Sequence, residues 1–208
     1  MNGPSNSTEQ ADRLFMSAMA FEVGLGLLAV LLGLWSGIDG RASIPRWHAG
    51  GLLAWSAMWG VIAAIPLIAT GLLLERLPWS PLIQLRKSVE LQLMSFFRSM
   101  TWPQLGCICL AAGVCEEMLF RGWLQAALLH WLGPYLPQGV SLIVALLTSS
   151  LVFGFCHYLN LAYLIFATIF GLYFGILFFF CENLLIPIIA HAVYDAVIVF
   201  WILRSSPK

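Results

Sequence analysis

Apolar residues run through this chain in long blocks with short polar breaks, near 14–38, 50–74, 103–131, 139–158, 161–181 and 184–203. A helix needs roughly 20 apolar residues to cross a bilayer, and each block supplies that length. The pattern predicts an all-α fold, a polytopic membrane helix bundle of about six transmembrane helices. Between the second and third blocks lies "ERLPWSPLIQLRKSVELQLMSFFRSMTWP", where charges alternate with Leu, Ile, Met and Phe. That stretch predicts one interfacial amphipathic helix, with a solvated loop as the alternative. Small residues four apart, Gly33 with Gly37 and Gly171 with Gly175, mark places where helices can approach closely.

The start, "MNGPSNSTEQADR", is polar and lacks the positively charged opening of a secretory signal. The apolar block after it is too long for a signal core, so a retained first span is expected. Tryptophans near span ends, Trp47, Trp79, Trp102 and Trp131, fit aromatic belts at the two membrane surfaces. Lys and Arg resist translocation. Placing both termini on the cytoplasmic side puts Arg13, Arg76, Arg86, Lys87, Arg98, Arg204 and Lys208 inside, against Arg41 and Arg46 outside. A multi-pass integral membrane protein with both termini cytoplasmic is the expectation.

Composition strengthens this picture. Of 208 residues 61% are hydrophobic and 10% charged, and the formal net charge is zero. No basic surface points to nucleic acid; the lipid bilayer is the expected environment. The five cysteines, Cys107, Cys109, Cys115, Cys156 and Cys181, fall in or beside apolar blocks and read as small buried hydrophobes.

Ionisable residues inside the blocks carry the functional information. A charge at the bilayer centre costs on the order of 2.5–3.5 kcal/mol by insertion scales, so such side chains face the bundle interior and are functional candidates. The set is Glu22, Glu116, Glu117, Arg121, His130, His157, Glu182, His191 and Asp195. Glu117 and Arg121 are four apart with the acid first, the spacing of an ion pair on one helix face. Glu116 is turned about 100° away and has no such built-in partner. Phe153 and His157 share a face, as do His191 and Asp195. Glu22 reads as an acid in an interhelical hydrogen bond or in its protonated form, and His130 and Glu182 as residues satisfied by water at span ends.

Two acids, an arginine, two histidines and an aspartate on three helices suit a buried water-activating site, with a carboxylate base, imidazoles to carry protons and donors for an oxyanion. The same residues also suit a metal site of two histidines and a carboxylate.

Three ordered motifs give the set a family likeness. "EEMLFR" (Glu116 to Arg121) fits E-E-x-x-x-R, "FGFCH" (Phe153 to His157) fits F-x-x-x-H, and "HAVYD" (His191 to Asp195) fits H-x-x-x-[N/D/B]. The chain resembles the CAAX protease and bacteriocin-processing (CPBP) family of intramembrane endopeptidases, also called the Abi or type II CAAX prenyl endopeptidase family. The resemblance spans roughly residues 103–203. It implies a division into 1–102, holding the N-terminal tail, two spans and the interfacial helix, and 103–203, a CPBP-type catalytic core.

It also implies proteolysis in the membrane of a peptide or protein substrate, with membrane-associated and prenylated peptides among the candidates. By that likeness Glu116 activates water with help from His157, while His191 and Asp195 stabilise the tetrahedral intermediate. Glu117 and Arg121 complete the first motif, and Phe153 packs under His157. The family's prenyl endopeptidases carry Asn where this chain has Asp195, and an ionised carboxylate cannot donate to an oxyanion as an amide can. No cofactor is firmly implied. Zinc is the minority alternative, with His157, His191 and Glu116 as its ligands. Two other functions fit the sequence: a non-catalytic scaffold or immunity protein of the same fold, and a proton-coupled transporter. Straight rods with these span limits place Glu116 deep and His157 near a span end, so tilted spans or a different break between the fourth and fifth helices are expected.

Overall fold

The computed structural model describes residues 4–46 and 48–205. Trp47 and Lys208, expected at a membrane surface and on the inner face, lie outside the described residues. Among the described residues all regular structure is helical: α1 (Pro4–Ser36), α2 (Gly50–Leu74), α3 (Ser80–Val89), α4 (Ser95–Phe97), α5 (Trp102–Glu117), α6 (Ala126–Leu132), α7 (Gln138–Cys156), α8 (Leu161–Cys181) and α9 (Leu185–Ser205). Two π-helical segments, Glu90–Met94 and Met118–Gln125, join α3 to α4 and α5 to α6. Five helices are long and apolar enough to cross a membrane. The sixth apolar block is α5, the π segment and α6 in unbroken succession, with Glu116, Glu117 and Arg121 at its middle.

Polarity is arranged for lipid. Large apolar side chains such as Leu31, Leu34, Trp35, Ile65 and Phe180 are exposed, while Glu116, Glu117, Arg121, Gln125 and His191 are buried. In water this distribution would leave an apolar surface far beyond what soluble monomers carry. In a bilayer it puts the costly groups where they meet partners. Trp79, Trp102 and Trp131 are exposed, as interface anchors need to be.

The bundle packs α5 between α1 and α9, α2 on α9, and α7 on α8. Helix α5 starts from a capping box, in which the Thr101 N–H donates to Gln104 Oε1 at 2.8 Å, and Gln104 Nε2 reaches Asp12 of α1 at 2.9 Å. The turn between α8 and α9 is pinned by Asn183, whose Nδ2 donates to Ser56 Oγ of α2 at 2.7 Å. Helix α3 is tied down at its C-terminal end. Arg86 donates to the carbonyls of Glu75 and Leu77, and Asn160, the N-cap of α8, donates to Ser88 Oγ at 2.7 Å. The predicted amphipathic stretch is therefore helical, interrupted by a π turn, with Leu82 buried beneath it.

Several expectations change. The polar start is not a tail before the helix, because α1 already begins at Pro4. At 33 residues it is about 50 Å long, well beyond a hydrocarbon core of about 30 Å. Gly37 is no packing glycine: its φ of +73° ends α1, a conformation that suits glycine. Gly171 and Gly175 do mark a close approach, against Arg121 and Gln125. Of the cysteines only Cys109 is buried; Cys107 and Cys156 are exposed, and all five are free. His130 and Glu182 lie exposed at helix ends, and Glu182 closes α8 in the left-handed region with φ 49°.

The depth problem resolves by length. The break does fall at "YLN", between Cys156 and Leu161. Glu116 lies about 24 Å of helix back from Leu132, and His157 about 28 Å beyond Gln138. The two helices run antiparallel through a short turn, so a short α7 ends level with the middle of a long neighbour.

Candidate active site

Glu117 is the hub of the buried polar residues. It and Arg121 are 0% exposed. Arg121 Nη1 donates to Glu117 Oε1 at 2.9 Å, and His191 Nδ1 donates to the same oxygen at 2.8 Å. Arg121 Nη2 reaches across to the carbonyl of Gly171 at 2.8 Å. One turn on, Gln125 Nε2 repeats the contact with the carbonyl of Gly175 at 3.2 Å. A Cβ at Gly171 would stand 3.2 Å from Arg121 Nη2, and one at Gly175 2.8 Å from Gln125 Oε1. Only hydrogen at these positions lets both side chains reach the α8 backbone. The Arg121 guanidinium lies 4.6 Å from the Phe153 ring centre and 5.5 Å from that of Phe174, so aromatic faces share in holding its charge.

The two histidines are built alike. His157 Nδ1 donates to the Phe153 carbonyl at 2.9 Å, and His191 Nδ1 to Glu117, so in both rings Nδ1 carries a hydrogen. Each Nε2 then faces an acid: Glu116 Oε2 at 3.5 Å from His157, and Asp195 Oδ2 at 3.4 Å from His191. Each ring also stacks on a phenylalanine, His157 on Phe153 at 4.3 Å and His191 on Phe174 at 4.9 Å. Ring orientation and tautomer are thereby set from outside the cavity.

The local backbone contributes. Glu116 and Glu117 end α5, and the π segment begins with the next residue. Single π turns within α-helices occur often at functional sites, and this one carries Arg121 and Gln125 toward α8. Glu116 itself is 5% exposed, and its Oε2 has no hydrogen-bond partner among the described residues.

Glu116, His157, His191 and Asp195 line one cavity of about 1090 Å³. It extends between α1, α8 and α9 toward the α3 helix, and its walls are mostly apolar, including Phe21, Leu82, Phe166 and Ile202. This exceeds the usual range for small-molecule pockets, about 300–1,000 Å³. The seven residues of the three motifs thus meet on the side of the bundle where α5, α7 and α9 converge. Phe153 underlies His157 as expected from their spacing.

The profile described as type II CAAX prenyl endopeptidase Rce1-like matches residues 98–197. Over that segment the chain is similar to the type II CAAX prenyl endopeptidases. All three motifs fall inside the match, and the family it describes is one of proteases. No curated protein and no solved structure matches the chain.

The zinc alternative does not fit the donor set. Among the described residues no three of His, Cys, Asp and Glu are grouped to hold a metal ion. Both ring nitrogens of His191 face carboxylates, so it has no free nitrogen to join His157 Nε2 and Glu116 on a metal.

Sequence reasoning set Glu22 aside. It is buried, lines the same cavity, and its Oε2 makes no hydrogen bond among the described residues, which leaves the protonated form of the two expected for it. The available signal was position: an acid near the middle of a span with no basic residue three or four places away.

Proposed function

We propose that this chain is an intramembrane endopeptidase of the CAAX prenyl endopeptidase type, working through water activated by Glu116. The observation that carries this reading is the unpartnered Glu116 Oε2 facing His157 Nε2 at 3.5 Å on the cavity wall. Water held by Glu116 gives up a proton to that carboxylate as its oxygen adds to the scissile carbonyl carbon. His157, with Nδ1 fixed on the Phe153 carbonyl, presents Nε2 to relay that proton. The C–N bond then breaks as the amine nitrogen receives the proton, leaving a new carboxyl terminus and a free amine.

The oxyanion falls to His191 and Asp195. With Nδ1–H of His191 given to Glu117, the useful donor is the proton between His191 Nε2 and Asp195, 3.4 Å apart. That proton lets an aspartate position do the work of the family's asparagine. Glu117 and Arg121 orient His191 and do not touch substrate. Residues 103–203 form the catalytic core in this account, with 1–102 covering it.

The large apolar cavity suits a prenylated peptide tail, which is the substrate class we assign. Both termini face the cytoplasm, where the loops carry most of the Lys and Arg. The test uses the protein in liposomes with a farnesylated peptide ending in a CAAX sequence. Glu116→Gln is expected to lose cleavage by about 10²–10⁴-fold while remaining folded. Cleavage at the parent rate by that variant rules out Glu116 as the base.

A further inference from the structure

Glu22 is the one acid of this cavity near the motif residues that the mechanism leaves idle. It sits on α1, outside the matched segment 98–197. It is 8% exposed, its Oε2 has no hydrogen-bond partner among the described residues, and it lines the cavity together with Glu116, His157, His191 and Asp195. It lies within electrostatic reach of His191 and Asp195. Packing fixes its position. One turn later Gly26 brings α1 onto α5, where a Cβ would stand 2.8 Å from Cys115 Sγ, and Cys115 immediately precedes Glu116.

A helix that only packs against its neighbours gains nothing from a carboxyl group in hydrocarbon. The chemistry of a bound peptide supplies a use. An extended peptide in an apolar cavity loses water from its N–H groups, and each needs an acceptor. Glu117 gives Oε1 to Arg121 and His191 and does not line the cavity, Asp195 faces His191, and Glu116 is taken by the water in the proposed mechanism. Among the described acids that line the cavity beside the motif residues, Glu22 supplies the acceptor that remains, its Oε2.

We propose that Glu22 is a substrate-binding residue of this site, its Oε2 accepting a main-chain N–H of the peptide beside the scissile bond. The inference rests on the endopeptidase reading, and it makes α1 part of the active site.

Binding is measured separately from cleavage, with a fluorescent farnesylated CAAX peptide and the Glu116→Gln protein in nanodiscs. Adding Glu22→Leu is expected to weaken binding at least tenfold, whereas Glu22→Gln, which keeps an acceptor oxygen, stays within about threefold. The Leu variant should also unfold at no lower temperature than its parent, since it removes an orphaned acid. The proposal is overturned if Leu binds as the parent does, if Gln is as weak as Leu, or if the Leu variant loses stability along with binding. Absence of binding by the parent overturns it as well. Glu22-dependent binding of a peptide that Glu116-containing protein does not cut would instead sink the endopeptidase reading and leave the Glu22 site standing.

Discussion

The two histidine arms share a plan and differ in what stands behind the ring. Behind His191 is Glu117, a carboxylate already paired with Arg121, and the whole arm is nearly inaccessible. Behind His157 is only the Phe153 carbonyl, which fixes the tautomer without bringing charge, and the ring is partly open to the cavity. One arm is anchored to α8 and, behind His191, stands back from the cavity; the other ends in an acid on the cavity wall, with an unpartnered oxygen there. Adjacent residues of one helix, Glu116 and Glu117, feed the two arms. The difference teaches how a membrane protein keeps charge in its interior: groups paired with one another behind the cavity hold the geometry so that one on its wall can work.

Breaking the closed arm should produce the largest effect. Arg121→Leu leaves Glu117 buried without its cation, and removing one partner of a buried pair typically costs about 3–5 kcal/mol. Thermal unfolding in detergent should show a large fall, with cleavage lost as a consequence. The double variant Glu117→Leu with Arg121→Leu should recover part of that stability and none of the activity, because His191 then has no fixed tautomer. Recovery of activity in the double variant would show that the closed arm does not position His191.

The open arm should respond in the opposite sense. His157→Gln is expected to lower kcat by roughly a hundredfold, within the range of proton-transfer catalysis, with little change in unfolding temperature. A fall in stability matching that of Arg121→Leu would erase the contrast between the arms.

These contrasts were only partly readable in the chain. The Glu117–Arg121 pair followed from spacing, and so did the contacts within "FGFCH" and "HAVYD", because all are separations of four along a helix. The spans were legible for the same reason, being local properties of apolar runs. What could not be read was how separate helices meet. That Glu117 would accept from His191 across 74 positions depends on α5 packing against α9. The π segment after Glu117 has no sequence mark of its own, and the covering of the cavity by α1 depends on the contact at Gly26. Glu22 looked isolated in sequence because all its relevant neighbours are distant.

Smaller changes refine the comparison. Asp195→Asn introduces an amide that can donate to an oxyanion, so cleavage should stay within about tenfold of the parent; a loss of a thousandfold would mean that the acid itself transfers a proton. Gln125→Leu removes the second link to α8 and should cost about 1 kcal/mol, the usual worth of a neutral hydrogen bond, without altering kcat. A larger loss would place Gln125 in the same network as Arg121.

The division of labour between neighbouring acids is tested most directly by Glu116→Gln and Glu117→Gln side by side, scoring unfolding temperature and cleavage of the farnesylated peptide for each. The account predicts that Glu116→Gln abolishes cleavage with its unfolding temperature intact, and that Glu117→Gln lowers the unfolding temperature strongly. Equal loss of stability in both, or cleavage surviving in Glu116→Gln, would contradict it.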